Sequence, residues 1–528
     1  MIVRIFGIIL PVLLISLSEC YSQVNQEWIQ RYQNSGSSAD IVKGIVTDYS
    51  GNVFVTGTLE SNTITDFVTV KYSQGGTELW VRIFDGGLED KVIDMDKDNS
   101  GNIFVTGLSE NQTGTYDIIT IKYNPDGDSV WVRRYNGAYV FSMDQPTAIK
   151  VADENNIYVS GYTFGGGATG LVTIKYNSNG DSVWVARAPE GSSGISGDIF
   201  ADESGNVYVY KCIGSGFIIK YSSDGTRQWL KNYPMEFSRS AKSISADNSG
   251  NMYFMGMKGT QTSNDYSVLK ITPDGDTLWM RIYNCLGSGL PGNDEPKALC
   301  SDNSGNVYIT GETYFQAKYY FSTMKINADG TSGWIKTFRD TSGTEGGADI
   351  INDNSGNVYV TGGNSDYITV KYSSSGDSMW SQTYNGTFGF NDLGTALTAD
   401  INGNIYVTGS SRSPGGSLNY DFVTIKYSQT LTGFFSGEEN LTGFKLFQNY
   451  PNPFNPTTNI SFSLSNTEYV TLKIYDVTGR EIHELVNGIS NAGNHQVEFD
   501  GSVYSGGIYF YRLKAGNYSE TKKMILSK

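Results

Sequence analysis

The chain has 528 residues, 62 of them Gly and 36 Tyr, and long stretches rich in Leu, Ala, Glu and Lys are absent, which argues against a helical protein and for turn-rich β-structure. Its formal net charge is −16, so it lacks the basic balance that a nucleic-acid partner would require. The only two histidines, His483 and His495, lie near the C-terminus, which denies everything before them a Ser-His-Asp triad, a Cys-His pair or a His-ligated zinc.

In chain order, Arg4 precedes an apolar run, IFGIILPVLLISL (5–17), followed by small residues. The run is too short to span a bilayer, so residues 1–22 are expected to be a signal peptide cleaved near Ser22. Glu19 has the wrong size for a lipoprotein signal at Cys20. Loss of Cys20 leaves Cys212, Cys285 and Cys300, which cannot all pair; either Cys285 bonds Cys300 or all three are buried thiols.

From there a unit repeats. The turn SGN, or a close variant, precedes an apolar-aromatic run, as in SGNVFVTG, SGNIFVTG and NGNIYVTG. Its Asn falls at 52, 102, 156, 206, 251, 306, 357 and 404, at intervals of 45 to 55 residues. Each unit reads as four short strands: an entry segment such as DKVIDMD, the SGN strand, a strand such as YDIITIKY, and a strand ending the unit such as SVWVRRY. The third strand carries a Lys at 71, 122, 175, 220, 270, 325, 371 and 426. Asp-Gly turns lead into the fourth strand, where Gly can take positive φ. Strands apolar on both faces, such as FVTV and IITI, suit a sheet packed between two neighbours. A period near fifty with four strands per unit predicts a propeller.

The eight tryptophans (28, 80, 131, 184, 229, 279, 334 and 380) mark the fourth strands. Trp28 precedes the first full unit, and the last unit (394–427) has no Trp strand. The N-terminal EWIQRY is therefore expected to supply the outer strand of the last blade and close an eight-bladed ring. The repeats resemble the bacterial SBBP β-propeller family through D-x-S-G-N-[VI]-[YF]-V-T-G and G-x-x-x-W, over about residues 26–427. That family's name implies seven blades, from which these eight sets depart.

In such a ring the SGN and Asp-Gly turns share one face. The second-to-third loops and the inter-blade connections share the other, and these vary: YTFGGGATG, ETYFQAKYY, NGAYVFSMDQP, YNGTFGFND. Constant turns read as scaffold and diverse loops as recognition, so a ligand is expected on the variable face. Its aromatic candidates are Tyr139, Phe141, Tyr162, Phe164, Tyr314, Phe315, Phe388 and Phe390, which would stack on sugars or anchor a protein unless they tuck under their loops. An acidic residue also stands twelve positions before the marker Asn in six units: Asp40, Asp90, Asp144, Asp294, Glu345 and Asp392. These either accept backbone hydrogen bonds, one per blade junction, or form a carboxylate ring that binds Ca²⁺ weakly; no other cofactor is called for. Four Asp-Ser/Thr-aliphatic-Trp sequences, beginning at Asp128, Asp181, Asp276 and Asp377, are similar to O-glycosylation sequons of some Gram-negative bacteria, and strand-turn composition accounts for them equally.

After a linker (428–444) the pattern changes. TNISFSL, YVTLKIYD, HQVEFDG, GGIYFYRLKAG and ETKKMILSK read as strands of a small Ig-like β-sandwich, with the proline run of QNYPNPFNPTT as an extended lead-in. Residues 446–528 resemble the type A C-terminal sorting domain of the type IX secretion system, through LFQNYPNPFNPTT, LKIYDVTGREI, GNHQVEFDGS, SGGIYFYRLKAGN and ETKKMILSK. Pro451, Pro453, Pro456, Gly479, Arg480, Gly493, Gly507, Lys522 and Lys523 fall on its recurrent positions. The resemblance implies Sec export, passage through the outer-membrane translocon, removal of the domain, and attachment to surface lipopolysaccharide or release.

The expected organisation is thus all-β: signal peptide 1–22, an eight-bladed propeller of four-stranded blades over 24–427, linker 428–444 and sorting domain 445–528. The expected role is a secreted or surface module binding a glycan or protein. The alternative is an extracellular glycan-active hydrolase or lyase using propeller carboxylates.

Overall fold

The computed structural model describes the chain from Val24 to Ser527, except residues 34–38, 61–63, 138–141, 166–167, 189–194, 213–215, 239–241, 260–263, 286–292, 317, 339–345, 354, 364, 387–390, 414–418, 430–443, 448, 450–451, 453, 465–466, 491–492 and 517. The signal-peptide reading, and the sites expected at Tyr139, Phe141, Glu345, Phe388, Phe390, Pro451 and Pro453, lie outside the described residues.

Eight antiparallel sheets follow one another along the chain, each running from an inner first strand to an outer fourth. Blade 1 is representative: Ile41–Thr47, Val53–Glu60, Thr65–Tyr72 and Glu78–Phe84, each strand paired with the next. The first strands of blades 2 to 8 begin at Asp90, Met143, Ser196, Glu236, Asn293, Gly347 and Asp392. Blade 5 breaks its first strand into Glu236–Phe237 and Ile244–Ala246, both paired to Met252–Gly259. Every first strand packs against those of the two neighbouring blades, and that of blade 8 packs against that of blade 1, so the ring is closed with eight blades.

The closure is made as the tryptophan count predicts. Val24–Tyr32 pairs antiparallel with Tyr420–Gln429, the third strand of blade 8, and becomes that blade's fourth strand. The third strand runs to Gln429, past the expected end of the repeats at 427. The extra residues carry a contact: the Gln429 side chain accepts from Trp380 Nε1 and Lys371 Nζ, both 3.1 Å away.

The core is not central but divided among the junctions. Eight apolar clusters each combine residues of two adjacent blades; Phe54, Phe67 and Trp80 of blade 1, for example, join Met95, Ile103 and Ile121 of blade 2. This is why second and third strands read apolar on both faces: Val53, Phe54 and Val55 are all buried, successive side chains pointing into successive junctions.

The C-terminal residues form a separate β-sandwich. One sheet orders Lys445–Leu446, Thr457–Leu464 and Gly493–Asp500; the other orders Glu481–Ser490, Glu468–Tyr475, Gly507–Ala515 and Tyr518–Leu526. Between them lies a core that includes Phe454, Phe462, Leu472, Phe499, Tyr511 and Leu513. The proline-rich lead-in is tied to the last strand: Phe454 N–H donates to the Ile525 carbonyl at 2.9 Å, and Ile525 N–H donates to Asn452 Oδ1 at 2.8 Å. Pro456, in a cis peptide with Asn455, directly precedes the strand at Thr457.

Candidate functional site

The two faces of the propeller are built differently. On the turn face, each SGN turn is boxed by an Asp. Asp48 Oδ1 accepts from Ser50 N–H and Asn52 N–H, both at 2.9 Å, and Oδ2 accepts from Asn52 Nδ2 at 2.7 Å. The pattern recurs at Asp98, Asp202, Asp302, Asp353 and Asp400. The Asp-Gly turns face the neighbouring blade. Trp80 Nε1 and Lys71 Nζ both donate to the Pro125 carbonyl in the turn of blade 2, at 3.1 and 2.8 Å. Trp28 and Lys426 do the same to the Gln74 carbonyl of blade 1, each at 3.0 Å, across the point of ring closure. The recurrent Lys is thus a scaffold device that also lies over the aromatic ring of its second strand, as Lys71 does over Phe54 at 4.9 Å. Burial opposes the ammonium charge and holds Lys371 down at about 8. Gly127 shows why Gly and Trp travel together in the repeat. Its φ is +86°, and a Cβ there would fall 2.8 Å from the Trp80 ring.

On the loop face, the acidic residues at the twelve-residue offset serve the junctions one by one. Asp90, Asp144 and Asp392 accept the backbone N–H of Gly86, Gly137 and Gly386, and Asp294 accepts that of Cys285, where the chain crosses from one blade to the next. Asp40 accepts from Glu60 N–H at 3.1 Å. All five are buried. Burial pushes Asp40 up to about 7, helped by the charges of Asp421 and Glu60, and pushes Asp90, Asp294 and Asp392 up as well. Among the described residues, no three of the six come within ligand distance of one another. One carboxylate cluster does form, from Asp66, Asp85 and Asp90 at the junction of blades 1 and 2.

The aromatic candidates separate into two hairpins on blades that are not neighbours. In blade 3, Phe164 is 50% exposed, whereas Tyr162 is half-buried and its hydroxyl donates to Gln145 Oε1. In blade 6, Tyr314 is 40% exposed and Phe315 half-buried. Tyr319, which the sequence reading did not single out, is 42% exposed, with its ring centroid 4.8 Å from that of Tyr314. Strand pairing of Tyr314 with Tyr319 brings the two rings together, and the run YFQAKYY carries that signal once the hairpin turn is placed at its middle.

The sequence reading also missed acids on the inner strands, eight positions before the marker Asn. Asp94, Asp198 and Asp349 each accept an N–H from the next blade's side: Asp94 from Ile149, Asp198 from Ser243 and Asp349 from Leu397, at 2.9, 3.0 and 2.8 Å. Burial pushes Asp94 up to about 7 against the lowering effect of its hydrogen bonds and of Lys242. Lys242 Nζ reaches Asp349 Oδ2 at 2.6 Å across an intervening blade. Three of eight units carry this Asp, too few to read as a repeat feature.

Elsewhere, the hydroxyl residues of the four glycosylation-like sequences, Ser129, Ser182, Thr277 and Ser378, are exposed at the starts of fourth strands. Cys212, Cys285 and Cys300 are free thiols; the first two are buried and Cys300 is half-buried, so Cys285 and Cys300 are not bridged. In the sandwich, Asp476 caps a turn by accepting from Thr478 and Arg480 N–H, with Gly479 at φ +82° and the Arg480 side chain largely exposed. Lys522 pairs with Glu520 at 3.1 Å on the last strand, where Lys523 is exposed; Gly493 and Gly507 open their strands.

Residues 448–527 match the family described as secretion system C-terminal sorting domain, and residues 27–58 and 388–416 match the SBBP beta-propeller repeat. The two repeat matches flank the point where the ring closes. No curated protein matches the chain. Among solved structures, Sqt1 of Chaetomium thermophilum, bound to the N-terminus of ribosomal protein L10, is 8% identical with a TM-score of 0.50, covering 77% of this chain and 100% of its own. PorZ, a surface component of the type IX secretion system of Porphyromonas gingivalis, is 15% identical with a TM-score of 0.38, covering 94% of this chain and 71% of PorZ. A protein of unknown function from Bacteroides caccae is 15% identical with a TM-score of 0.32, covering 54% of this chain and 96% of that one. At these identities the Sqt1 likeness speaks to the fold alone.

Proposed function

From a chain that carries SBBP propeller repeats and a type IX secretion sorting domain, and is delivered by that machinery to the surface or surroundings of a Gram-negative bacterium, we propose a binding or adhesion module. The signal peptide (1–22) and the sorting domain (445–528) act in transit, and the propeller (24–427) is the cargo. After export the sorting domain is removed and the propeller is either attached to surface lipopolysaccharide or released.

The observation that carries this reading is the Tyr314–Tyr319 pair on the loop face of blade 6, two adjacent and exposed rings at the tip of a long hairpin. Exposed aromatic faces gain by stacking on the apolar face of a sugar or by entering a protein pocket. Phe164 on blade 3 offers a second, separate contact. The turn face supports the reading by contrast, because its Asp groups are engaged within their own turns and its Lys groups, such as Lys71, reach across to the next blade.

The test is a glycan array and a panel of glycan-hydrolase substrates run on the full chain, alongside a variant carrying Phe164→Ala, Tyr314→Ala and Tyr319→Ala. Saturable capture that the triple variant loses is the expected outcome. Undiminished capture by that variant would place the ligand elsewhere, and turnover of a glycan by the wild type would favour an enzyme.

A further inference from the structure

Five of the eight blade junctions, those after blades 1, 2, 5, 7 and 8, repeat three positions: an Asp at the start of the third strand, a residue just past the fourth strand, and the Asp that begins the next blade. At the junctions after blades 2, 5 and 7 the sets are Asp117, Asn136, Asp144; Asp265, Asn284, Asp294; and Asp366, Asn385, Asp392. After blade 5 the middle amide supplies a donor to the first acid: Asn284 Nδ2 donates to Asp265 Oδ1 at 3.1 Å. After blades 2 and 8 a guanidinium from the fourth strand serves as well. Arg134 reaches Asp117 and Arg31 reaches Asp421, each at 2.8 Å, and both also donate to a second-strand serine, Ser109 and Ser411.

The junction after blade 1 has neither device. The fourth-strand position equivalent to Arg134 and Arg31 is Ile83, and the middle position is Asp85 rather than an amide. Asp66, Asp85 and Asp90 bring one carboxylate oxygen each to within 4.8 Å of one another. Asp90 is fully buried, and no hydrogen bond reaches its Oδ1; the same holds for Asp66 Oδ1. The bonds present are Gly86 N–H to Asp90 Oδ2, the Ser109 hydroxyl to Asp90, and Gly87 N–H to Asp85 Oδ1 at 2.7 Å. The Arg134 guanidinium, whose charge acts on Asp90, is held by Asp117 and Ser109. An unpartnered Oδ1 recurs at Asp144, Asp294 and Asp392; what this junction adds is two further carboxylates, Asp66 with its own unpartnered oxygen and Asp85, with no amide or guanidinium among them, a set that favours positive charge.

We propose that Asp66, Asp85 and Asp90 bind one divalent cation of the hard, oxygen-preferring class, Ca²⁺ foremost, clamping blade 1 to blade 2 beneath the loop face. An all-carboxylate set with no nitrogen or sulfur selects Ca²⁺, Mg²⁺ or Mn²⁺ over zinc or copper. Asp85 is exposed, which gives the ion a way in and leaves room for water to complete its coordination. Extracellular Ca²⁺ modules work at about 0.1–1 mM, and a site of three carboxylates in a chain sent outside the cell suits that range.

The sister junctions supply the test. The full chain, stripped with chelator, is titrated with CaCl₂ by calorimetry and by thermal melting. The wild type is expected to bind about one ion per chain and to melt higher as Ca²⁺ saturates. Asp85→Asn restores the amide of the other junctions; it should abolish both responses and raise the melting temperature of the metal-free chain. Ile83→Arg installs the guanidinium of blades 2 and 8 and should also abolish the response. No heat and no melting shift in the wild type up to about 10 mM Ca²⁺, well above the range of extracellular modules, overturns the proposal. So does an unchanged shift in whichever of the two variants folds.

Discussion

Ring closure rests on a nine-residue strand, and its weight can be worked out from two side chains. Trp28 packs between Tyr72 of blade 1 and Tyr406 of blade 8, with ring centroids 6.1 and 5.9 Å away, and its indole N–H bonds the Gln74 carbonyl. Truncating a packed Trp to Ala costs about 3 kcal/mol at the low end, the appropriate end for a ring that is only half-buried. Arg31 pairs with Asp421 at 2.8 Å, and the Asp421 side chain is only 2% exposed. Removing Arg31 strands that buried charge, again about 3 kcal/mol. The two side chains point to opposite faces of the strand about 10 Å apart, so the losses should nearly add, to about 6 kcal/mol. A cooperative unit of roughly 400 residues unfolds with an entropy of about 0.8 kcal/mol/K, so the double variant Trp28→Ala/Arg31→Ala should melt about 7 °C lower. Were this segment a peripheral arm, the same changes would cost within about 0.5 kcal/mol, less than 1 °C. Scanning calorimetry of the wild type, the two single variants and the double variant decides between them. A double variant melting within about 1 °C of the wild type refutes the closure argument.

Gly127→Ala should cost about 2–3 kcal/mol, because it combines a positive φ with a Cβ 2.8 Å from Trp80; Gly87→Ala, at φ +95° with nothing near, should cost about 1 kcal/mol. Equal losses in urea melts of the two variants would remove the indole from the explanation. Asp94 titrates near 7 in the folded chain against an ordinary 3.8, so its folded state favours the proton; stability is intact below pH 4 and is lost as pH rises toward 7, at up to about 1.4 kcal/mol per unit. Asp94→Asn keeps one acceptor for the Ile149 N–H, and the variant should therefore gain on the wild type between pH 5 and 8 in paired melts; parallel curves would contradict the shift. A chain lacking residues 445–528 should accumulate in the periplasm on cell fractionation, and normal surface display of it would contradict the sorting role.

The fold was legible because it is written eight times. A turn Gly, a third-strand Lys and a fourth-strand Trp recur at fixed offsets; in the structure Lys71 and Trp80 meet at the Pro125 carbonyl of the neighbouring blade, and Gly127 of that turn lies against the Trp80 ring. Closure was legible from Trp28 together with the missing Trp strand of the last unit, since a fourth-strand signature with no preceding blade then has one place to go. Repetition also left one point open. Six acids at one offset fit either a ring or one backbone acceptor per junction, and hydrogen-bond direction, which spacing does not carry, turns four of them to their own crossovers and Asp40 to the Glu60 N–H.

What the sequence concealed lies where the repeat lapses. Asp85 differs from Asn136, Asn284 and Asn385 by one atom type, and Ile83 differs from Arg134 and Arg31, but the two lapses matter only because strand register sets them beside Asp66 and Asp90. Tyr319 pairs with Tyr314 only once the hairpin between them is folded. A scaffold residue is detected by recurrence, and a recognition residue escapes it for the same reason, since selection for a ligand acts on one blade and not on eight. In a propeller the positions to mutate for function are therefore those that break the pattern while remaining exposed or unsatisfied. Here that rule selects two places, the Tyr314–Tyr319 hairpin and the carboxylates between blades 1 and 2.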